Sequence, residues 1–195
     1  MLEKGEITGI ILAGGKSSRM GKDKGMCNFK DKPLVEYAID ALKPFCGKIL
    51  LSTNLTEGYE KYGLELINDE IKEIGPMGGI YSCLKKSKTK HNFVLSCDTP
   101  FIGKQLVKFI VDNISDDFDI VAPVHENSYL EPLCAYYNNS VMTNMNAFIE
   151  RGDFKLMGLL KSLRLKQLVI DNTLGFYNSK LFINLNTSED LLRCE

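Results

Sequence analysis

Short apolar runs alternate along this chain with segments in which apolar residues recur at helical spacing. The runs predict strands at residues 7–12, 48–52, 64–67, 93–96, 119–123, 133–137, 167–170 and 182–185. The helical spacing, with boundaries at residues such as Pro33 and Pro44, predicts helices over residues 33–43, 75–86, 103–113, 141–150, 155–162 and 188–194. Alternation of this kind is typical of βαβ units built on a mainly parallel sheet. We therefore predict an α/β fold.

The composition favours one globular domain that spans residues 1–195. The chain has 195 residues, of which 44% are hydrophobic and 25% charged, and it contains neither an internal repeat nor a credible linker. The formal net charge is −1 and there is no long basic run. We therefore expect neither a nucleic acid nor a membrane surface as a partner, and a small or medium-sized ligand instead.

The cysteines and the first residues bear on the cellular compartment. Six cysteines are scattered along the chain, without a CxxC pair or a histidine at zinc spacing, and we interpret them as reduced thiols. The start, MLEKGEITGIILAGG, lacks the apolar stretch and cleavage site of a secretory signal. We expect a cytoplasmic protein, and a secreted protein with disulfides is the alternative.

The loop after the first predicted strand combines glycines with basic side chains. Gly14 and Gly15 allow backbone N–H groups to approach a triphosphate closely, and positive charge follows at Lys16, Arg19, Lys22 and Lys24. Ligands of an open parallel sheet bind beyond the carboxyl ends of its strands, where this loop lies. The loop matches neither the GxxxxGK[ST] pattern nor the GxGxxG pattern. A tight turn with a solvated basic face is the structural alternative.

Asp98 follows a strand that is otherwise apolar. A carboxylate at that place suits Mg²⁺, which takes one or two carboxylates together with phosphate oxygens and water. The alternative is a helix N-cap or an Asx turn ahead of Pro100.

A third candidate site combines Asn68 and Asp69 with the turn at residues 75–79, which could surround a purine base with backbone groups and one carboxylate. An exposed acidic loop is the alternative for this segment. His125 lies in a polar segment, and we interpret it as a surface residue without a part in the chemistry.

The motifs of this chain resemble those of the molybdenum cofactor guanylyltransferases. LAGGKSSRMGKDKG is similar to the signature loop of that family, and GPMGG, CDTPF, EPLCAYY and NLNTSEDL follow in the family's order over essentially the whole chain. The resemblance implies a three-layer α/β/α sandwich with a mostly parallel, Rossmann-like sheet, as in the nucleotide-diphospho-sugar transferases. It also implies Mg²⁺-dependent transfer of GMP from GTP to the terminal phosphate of molybdenum-molybdopterin, with release of pyrophosphate.

The resemblance also implies roles for individual residues. Contacts to GTP would come from Leu12, Ala13, Gly14, Gly15, Lys24, Ser52, Asp69 and Asp98. Ser52 stands in place of the family's asparagine, and Asn54 follows two residues later. Lys24 and Arg19 would stabilise phosphate charge, and Asp98 would hold Mg²⁺, so these three form the implied catalytic set. Asn184 and Asn186, followed by Thr187, would face the pterin, although Thr187 or Ser188 would also suit the cap of the last helix.

On this resemblance, residues 1–100 bind the nucleotide and residues 101–195 contribute to the acceptor site, and other proteins of cofactor biosynthesis are expected as transient partners. Phe154 and Lys155 fall where relatives often carry two arginines. That difference leaves open an enzyme of the same fold that acts on a sugar phosphate or another phosphorylated acceptor. A non-catalytic nucleotide-binding or cofactor-handling protein is the alternative from a different class.

Overall fold

The structure is a computed structural model that describes residues 2–14, 23–125 and 129–194. Its strands are β1 (Ile7–Leu12), β2 (Asn28–Phe29), β3 (Lys32–Pro33), β4 (Lys48–Ser52), β5 (Glu65–Ile67), β6 (His91–Ser96), β7 (Ile120–His125), β8 (Tyr129–Leu130), β9 (Cys134–Asn138) and β10 (Leu165–Val169). Its α-helices are α1 (Leu34–Leu42), α2 (Pro76–Lys86), α3 (Lys104–Asp112), α4 (Met142–Glu150), α5 (Leu156–Lys161) and α6 (Ser188–Cys194).

Eight of the strands that the structure describes form one mixed sheet, in the order β10-β7-β9-β6-β1-β4-β5, with β8 paired to β7. β1 lies at the centre of the parallel part, and its Ile10 pairs with Leu50 of β4 and with Val94 of β6. All six residues of β1 are buried, which explains why its mainly apolar sequence shows no alternation of apolar and charged positions. β9 is antiparallel to both of its neighbours, β6 and β7. The predicted mostly parallel α/β sheet is therefore confirmed.

Helices cover both faces of this sheet. Ile7 and Ile11 of β1 belong to a core shared with α1 and α3, whereas Ile10 and Leu12 belong to a second core shared with α2, α4 and α5. Successive residues of a strand point to opposite faces, so one apolar strand supplies both cores. This arrangement gives the predicted three layers.

The predicted strand at residues 182–185 is wrong. The chain has an irregular course there, crossing the sheet edge at which β6 ends, and the Leu185 N–H donates to the Asp98 carbonyl at 2.9 Å. Leu185 is fully buried in a small cluster with Phe29 and Leu34. Its apolar character therefore reflects packing under the site and not pairing in the sheet.

The start of α1 also differs from the prediction. Pro33 is the N-cap of α1 and also pairs with Asn28 in a two-stranded ribbon of β2 and β3 that the sequence pattern did not predict. All six cysteines lie in the described part of the chain, and no disulfide joins them there. None of the described helices is long and apolar enough to cross a membrane.

Candidate active site

Three neighbouring parallel strands end at the same edge of the sheet. Leu12 at the end of β1 pairs with Ser52 of β4 on one side and with Ser96 of β6 on the other. The N–H groups of Ala13 and Gly14 both donate to the Ser52 carbonyl, at 3.0 and 3.1 Å. The beginning of the glycine-rich loop is thereby fixed against β4. The predicted residues Leu12, Ala13, Gly14 and Ser52 are therefore brought together.

Part of the predicted phosphate loop lies outside the described residues. Gly15 and Arg19 are in this part, as are Lys16 and Lys22. Their proposed contacts to the triphosphate stay predictions.

Lys24 lies at the centre of the described site. It begins a one-turn 3₁₀ helix, Lys24–Met26, which directs its side chain across the ends of the strands. Its Nζ donates to Asp98 Oδ2 at 2.7 Å and to Asn186 Oδ1 at 2.5 Å. The Lys24 and Asp98 side chains are 18% and 16% exposed, so the pair is largely shielded from water. One ammonium group thus joins the loop after β1, the end of β6 and the segment before α6.

The two oxygens of Asp98 have different surroundings. Oδ2 accepts from Lys24, whereas Oδ1 is buried and has no hydrogen-bond partner in the described part of the chain. A buried carboxylate oxygen without a partner is unfavourable unless a donor or a cation satisfies it.

The N-cap of α3 is Gly103, so the alternative of Asp98 as the cap of that helix is wrong. A single carboxylate of this kind fits the donor set of Mg²⁺ on phosphates, and the described residues contain no group of three or more metal-binding side chains.

Ser52, Asn54 and Asp69 form a polar cluster beside Leu12. Ser52 Oγ and Asn54 Nδ2 each lie 3.4 Å from one oxygen of the Asp69 carboxylate, and the Asp69 N–H donates to Asn54 Oδ1 at 3.1 Å. The first turn of α2 approaches this cluster closely: a Cβ atom at Gly79 would lie 2.4 Å from Ser52 Oγ. The glycines of GPMGG therefore let the helix pack directly on the cluster.

The segment before α6 contributes the other wall of the site. Asn186 holds the Lys24 ammonium, and Asn184 is exposed on the same segment. Asp190 Oδ2 accepts from the N–H groups of Asn186 and Thr187, and Thr187 Oγ1 accepts from the Asp190 N–H. The predicted capping role of Thr187 is thus confirmed.

His125 is a residue that the sequence pattern placed wrongly. It is the last residue of β7, which runs parallel to β6 and ends at the same edge, and its side chain is only 15% exposed. Its Nε2 lies 2.8 Å from Glu131 Oε1, and its ring stacks on Phe182 at 4.3 Å between centroids. β7 extends two residues beyond the predicted end, which moves His125 from a surface loop to the wall of the site.

Burial raises the pKa of Glu131 above the usual range, the hydrogen bond from His125 lowers it, and the charge of Asp98 raises it further. The His125–Glu131 pair is therefore electrostatically coupled to the Lys24–Asp98 pair. The histidine and glutamate lie on the side of the site that faces residues 182–186.

Comparisons with known proteins bear on the family and the fold of this chain. The sequence model of one family, described as the MobA-like NTP transferase domain, matches residues 9–168. The chain is 34% identical to a molybdenum cofactor guanylyltransferase of Vibrio parahaemolyticus, over 98% of this chain and 96% of that protein. It is also similar to the crystal structure of a molybdopterin-guanine dinucleotide biosynthesis protein A from Archaeoglobus fulgidus, with a TM-score of 0.79 and 26% identity over 96% of both chains.

A second structural neighbour is a CMP:2-keto-3-deoxy-manno-octonic acid synthetase in complex with CTP. It has a TM-score of 0.75 over 97% of this chain and 96% of that one, and at 13% identity it shows the fold alone. The predicted nucleotidyltransferase-like fold class is thereby confirmed.

Proposed function

The chain belongs to the MobA-like NTP transferase family, and from that membership we propose that it is a molybdenum cofactor guanylyltransferase. It transfers GMP from GTP to the terminal phosphate of molybdenum-molybdopterin and releases pyrophosphate. The observation that carries this proposal is the Lys24–Asp98–Asn186 cluster at the ends of the parallel strands, in a chain that matches an enzyme of that name over nearly its full length.

The cluster of Ser52, Asn54 and Asp69 supports guanine as the base. Guanine presents a ring N–H and an exocyclic amino group on one edge, and the Asp69 carboxylate accepts two hydrogen bonds from such a pair. Ser52 and Asn54 already lie near the two oxygens of this carboxylate and hold it in place. Adenine lacks this pair of donors on the corresponding edge, so the carboxylate discriminates between the purines.

We place the triphosphate along residues 12–24, with Gly15 supplying a backbone contact and with Lys24 and Arg19 supplying charge. Ala13 and Gly14, whose N–H groups donate to the Ser52 carbonyl, would line the nucleotide without donating to it. Asp98 is the residue that would hold Mg²⁺, because its Oδ1 is buried without a partner in the described chain. When bound, the ion supplies neutralisation of charge on the phosphate oxygens. Lys24 would turn from Asp98 to the phosphates and stabilise the charge of the leaving pyrophosphate.

The reaction itself needs positioning more than acid or base catalysis. An oxygen of the acceptor phosphate forms a bond to the α-phosphorus of GTP while the bond from that phosphorus to the pyrophosphate oxygen breaks, and pyrophosphate leaves with the electron pair. The nucleophile is already an anion, so it gives up no proton. Residues 1–100 supply the nucleotide contacts in this proposal, and Asn184 and Asn186 from residues 101–195 supply acceptor contacts.

The choice of nucleotide tests this proposal. Purified protein is incubated with Mg²⁺, molybdenum-molybdopterin and each of GTP, ATP, CTP and UTP in turn, and pyrophosphate release is measured. We expect GTP to have the highest kcat/KM and release to require the acceptor. A strong preference for CTP or UTP would contradict the proposal, and release with a sugar phosphate in place of the pterin would favour the alternative acceptor.

A further inference from the structure

We propose that Tyr59 is a positioning residue that holds the turn carrying Lys24 in the geometry needed for transfer. This inference rests on the proposed function, because it assigns Lys24 a role in the reaction. Tyr59 is far from Lys24 in sequence, and it lies in the connection between β4 and β5. It does not reach the Lys24 ammonium but acts through Asp23.

A chain of two hydrogen bonds joins Tyr59 to the turn. The Tyr59 hydroxyl donates to Asp23 Oδ1 at 2.8 Å, and the same oxygen accepts the N–H of Gly25 at 3.0 Å. Asp23 is the N-cap of the turn Lys24–Met26, and its carbonyl also accepts the Met26 N–H at 3.1 Å. Asp23 and Gly25 are the two chain neighbours of Lys24, and the carboxylate oxygen that joins them is the one to which the Tyr59 phenol donates.

The Tyr59 side chain also packs tightly against Gly25 in the Lys24 turn. Tyr59 is fully buried, and a Cβ atom built on Gly25 would lie 2.3 Å from the Tyr59 hydroxyl and 3.2 Å from the Ala13 side chain. Only glycine therefore fits between the phenol and the end of β1. A displacement of the Lys24 turn toward either side would meet one of these two groups.

The phenol is a permanent donor. Burial raises the pKa of Tyr59 well above its usual range, and the hydrogen bond to Asp23 raises it further. The hydroxyl consequently stays neutral at every pH at which the enzyme would work, and its proton stays on the Asp23 side.

Tyr59 also connects the two halves of the nucleotide site. The connection that contains it begins immediately after Ser52 and leads through β5 to Asp69, both of which belong to the proposed base cluster. Through Asp23, the phenol links this connection to the turn whose Lys24 ammonium bridges Asp98 and Asn186. Loss of the link should leave GTP able to bind and should misplace Lys24 in the transition state.

The experiment compares Tyr59→Phe with Tyr62→Phe. Both variants lose one phenol hydroxyl from the same connection, but the Tyr62 hydroxyl donates to Glu36 of α1 at 2.9 Å, whereas the Tyr59 hydroxyl donates to Asp23. We expect Tyr59→Phe to lower kcat about tenfold with the KM for GTP changed less than about twofold, because small misplacements of catalytic groups have effects of this size or larger. Tyr62→Phe should stay close to the wild-type kcat.

Repeating the Tyr59→Phe substitution in Lys24→Ala protein distinguishes an effect on the position of Lys24 from a general loss of stability. In Lys24→Ala protein, residual transfer no longer depends on where residue 24 is held, so adding Tyr59→Phe should leave the residual kcat unchanged. If the two substitutions lower kcat independently, or if Tyr59→Phe lowers only Tm, the proposal is wrong. Should Tyr59→Phe fail to fold, Asp23→Ala removes the same link from its other end and is subjected to the same comparison.

Failure of the proposed function gives a different result. If the wild-type protein does not transfer GMP from GTP, the guanylyltransferase assignment is wrong, whatever the activity of the variants. Wild-type protein that transfers GMP while Tyr59→Phe matches it in kcat would overturn only the role of Tyr59.

Discussion

Asp98 and Lys24 are the residues on which the proposed chemistry depends. Sequence position made both of them candidates, because Asp98 follows an apolar strand and Lys24 lies in a basic loop, and the resemblance to the guanylyltransferases implied their roles. The orphaned Oδ1 and the bridging contact to Asn186 could not be predicted, since both follow from a segment that is distant in sequence. Tyr59 gave no signal either, because a tyrosine in a polar connection has many uses.

Asp98→Asn is the first test at this scale. The amide keeps the size of the side chain but removes the charge that would hold Mg²⁺ and pair with Lys24, so we expect kcat to fall by about 100-fold or more. Titration of MgCl₂ in the pyrophosphate assay should show a raised Mg²⁺ requirement.

Asp112→Asn is the matched control for Asp98→Asn. It makes the same change in an exposed pair with Lys108, away from the strand ends, and should leave kcat and the Mg²⁺ requirement unchanged. Wild-type rates in the Asp98 variant would contradict a metal-binding role for that residue.

Asp69→Asn tests the base cluster. An amide presents one acceptor where the carboxylate presents two, so we expect kcat/KM for GTP to fall by about 10- to 100-fold, the usual effect of losing a hydrogen bond to a charged group. The value for ATP should change much less. Steady-state kinetics with both nucleotides measure the ratio of kcat/KM for GTP to that for ATP. An equal fall in kcat/KM for GTP and ATP would show that Asp69 does not discriminate between the bases.

At the scale of elements, the strength of the local pattern decided which predictions succeeded. β1 and β6 are buried on both faces, and their apolar residues predicted both strands, although β6 begins two residues earlier than predicted. Residues 182–185 show a similar local pattern, yet Leu185 is buried under the site instead of in the sheet. The ribbon of β2 and β3 was missed because Lys30, with φ of 51°, makes its turn without glycine or asparagine.

The edge of the sheet offers a prediction on stability. Arg164, just before β10, donates from Nε and Nη2 to the two oxygens of Asp119, just before β7, at 3.1 and 2.7 Å. This pairing lowers the pKa of Asp119 below the usual range. A carboxylate with a lowered folded-state pKa stabilises the protein at pH values above its unfolded pKa, and the stabilisation is lost as the pH falls through the folded value.

Asp119→Asn should therefore lower Tm by a few degrees at pH 7. The difference from wild type should shrink as the pH falls below about 4, because protonation then removes the same charge from the wild-type protein. Thermal unfolding followed by circular dichroism between pH 3 and pH 8 measures both values. If the difference in Tm between wild type and variant stays constant over this pH range, the charge of Asp119 does not supply the stabilisation between β7 and β10.

At the scale of the whole molecule, the layers could be predicted but the strand order could not. Alternating strands and helices predict helices on both faces of a parallel sheet. The antiparallel insertion of β9 between β6 and β7 depends on pairing across the sheet, which no local pattern reports. That insertion places the carboxyl end of β7, and with it His125 and Glu131, at the edge where β1, β4 and β6 end.

The fate of the α-phosphate of GTP tests the central claim most directly. Protein is incubated with Mg²⁺, molybdenum-molybdopterin and GTP labelled at the α-phosphate, and the label in the pterin product is compared with the pyrophosphate released. The account predicts one label in the product for each pyrophosphate, and none when the acceptor is omitted. Pyrophosphate release without labelled pterin, or equal transfer from CTP, would contradict it.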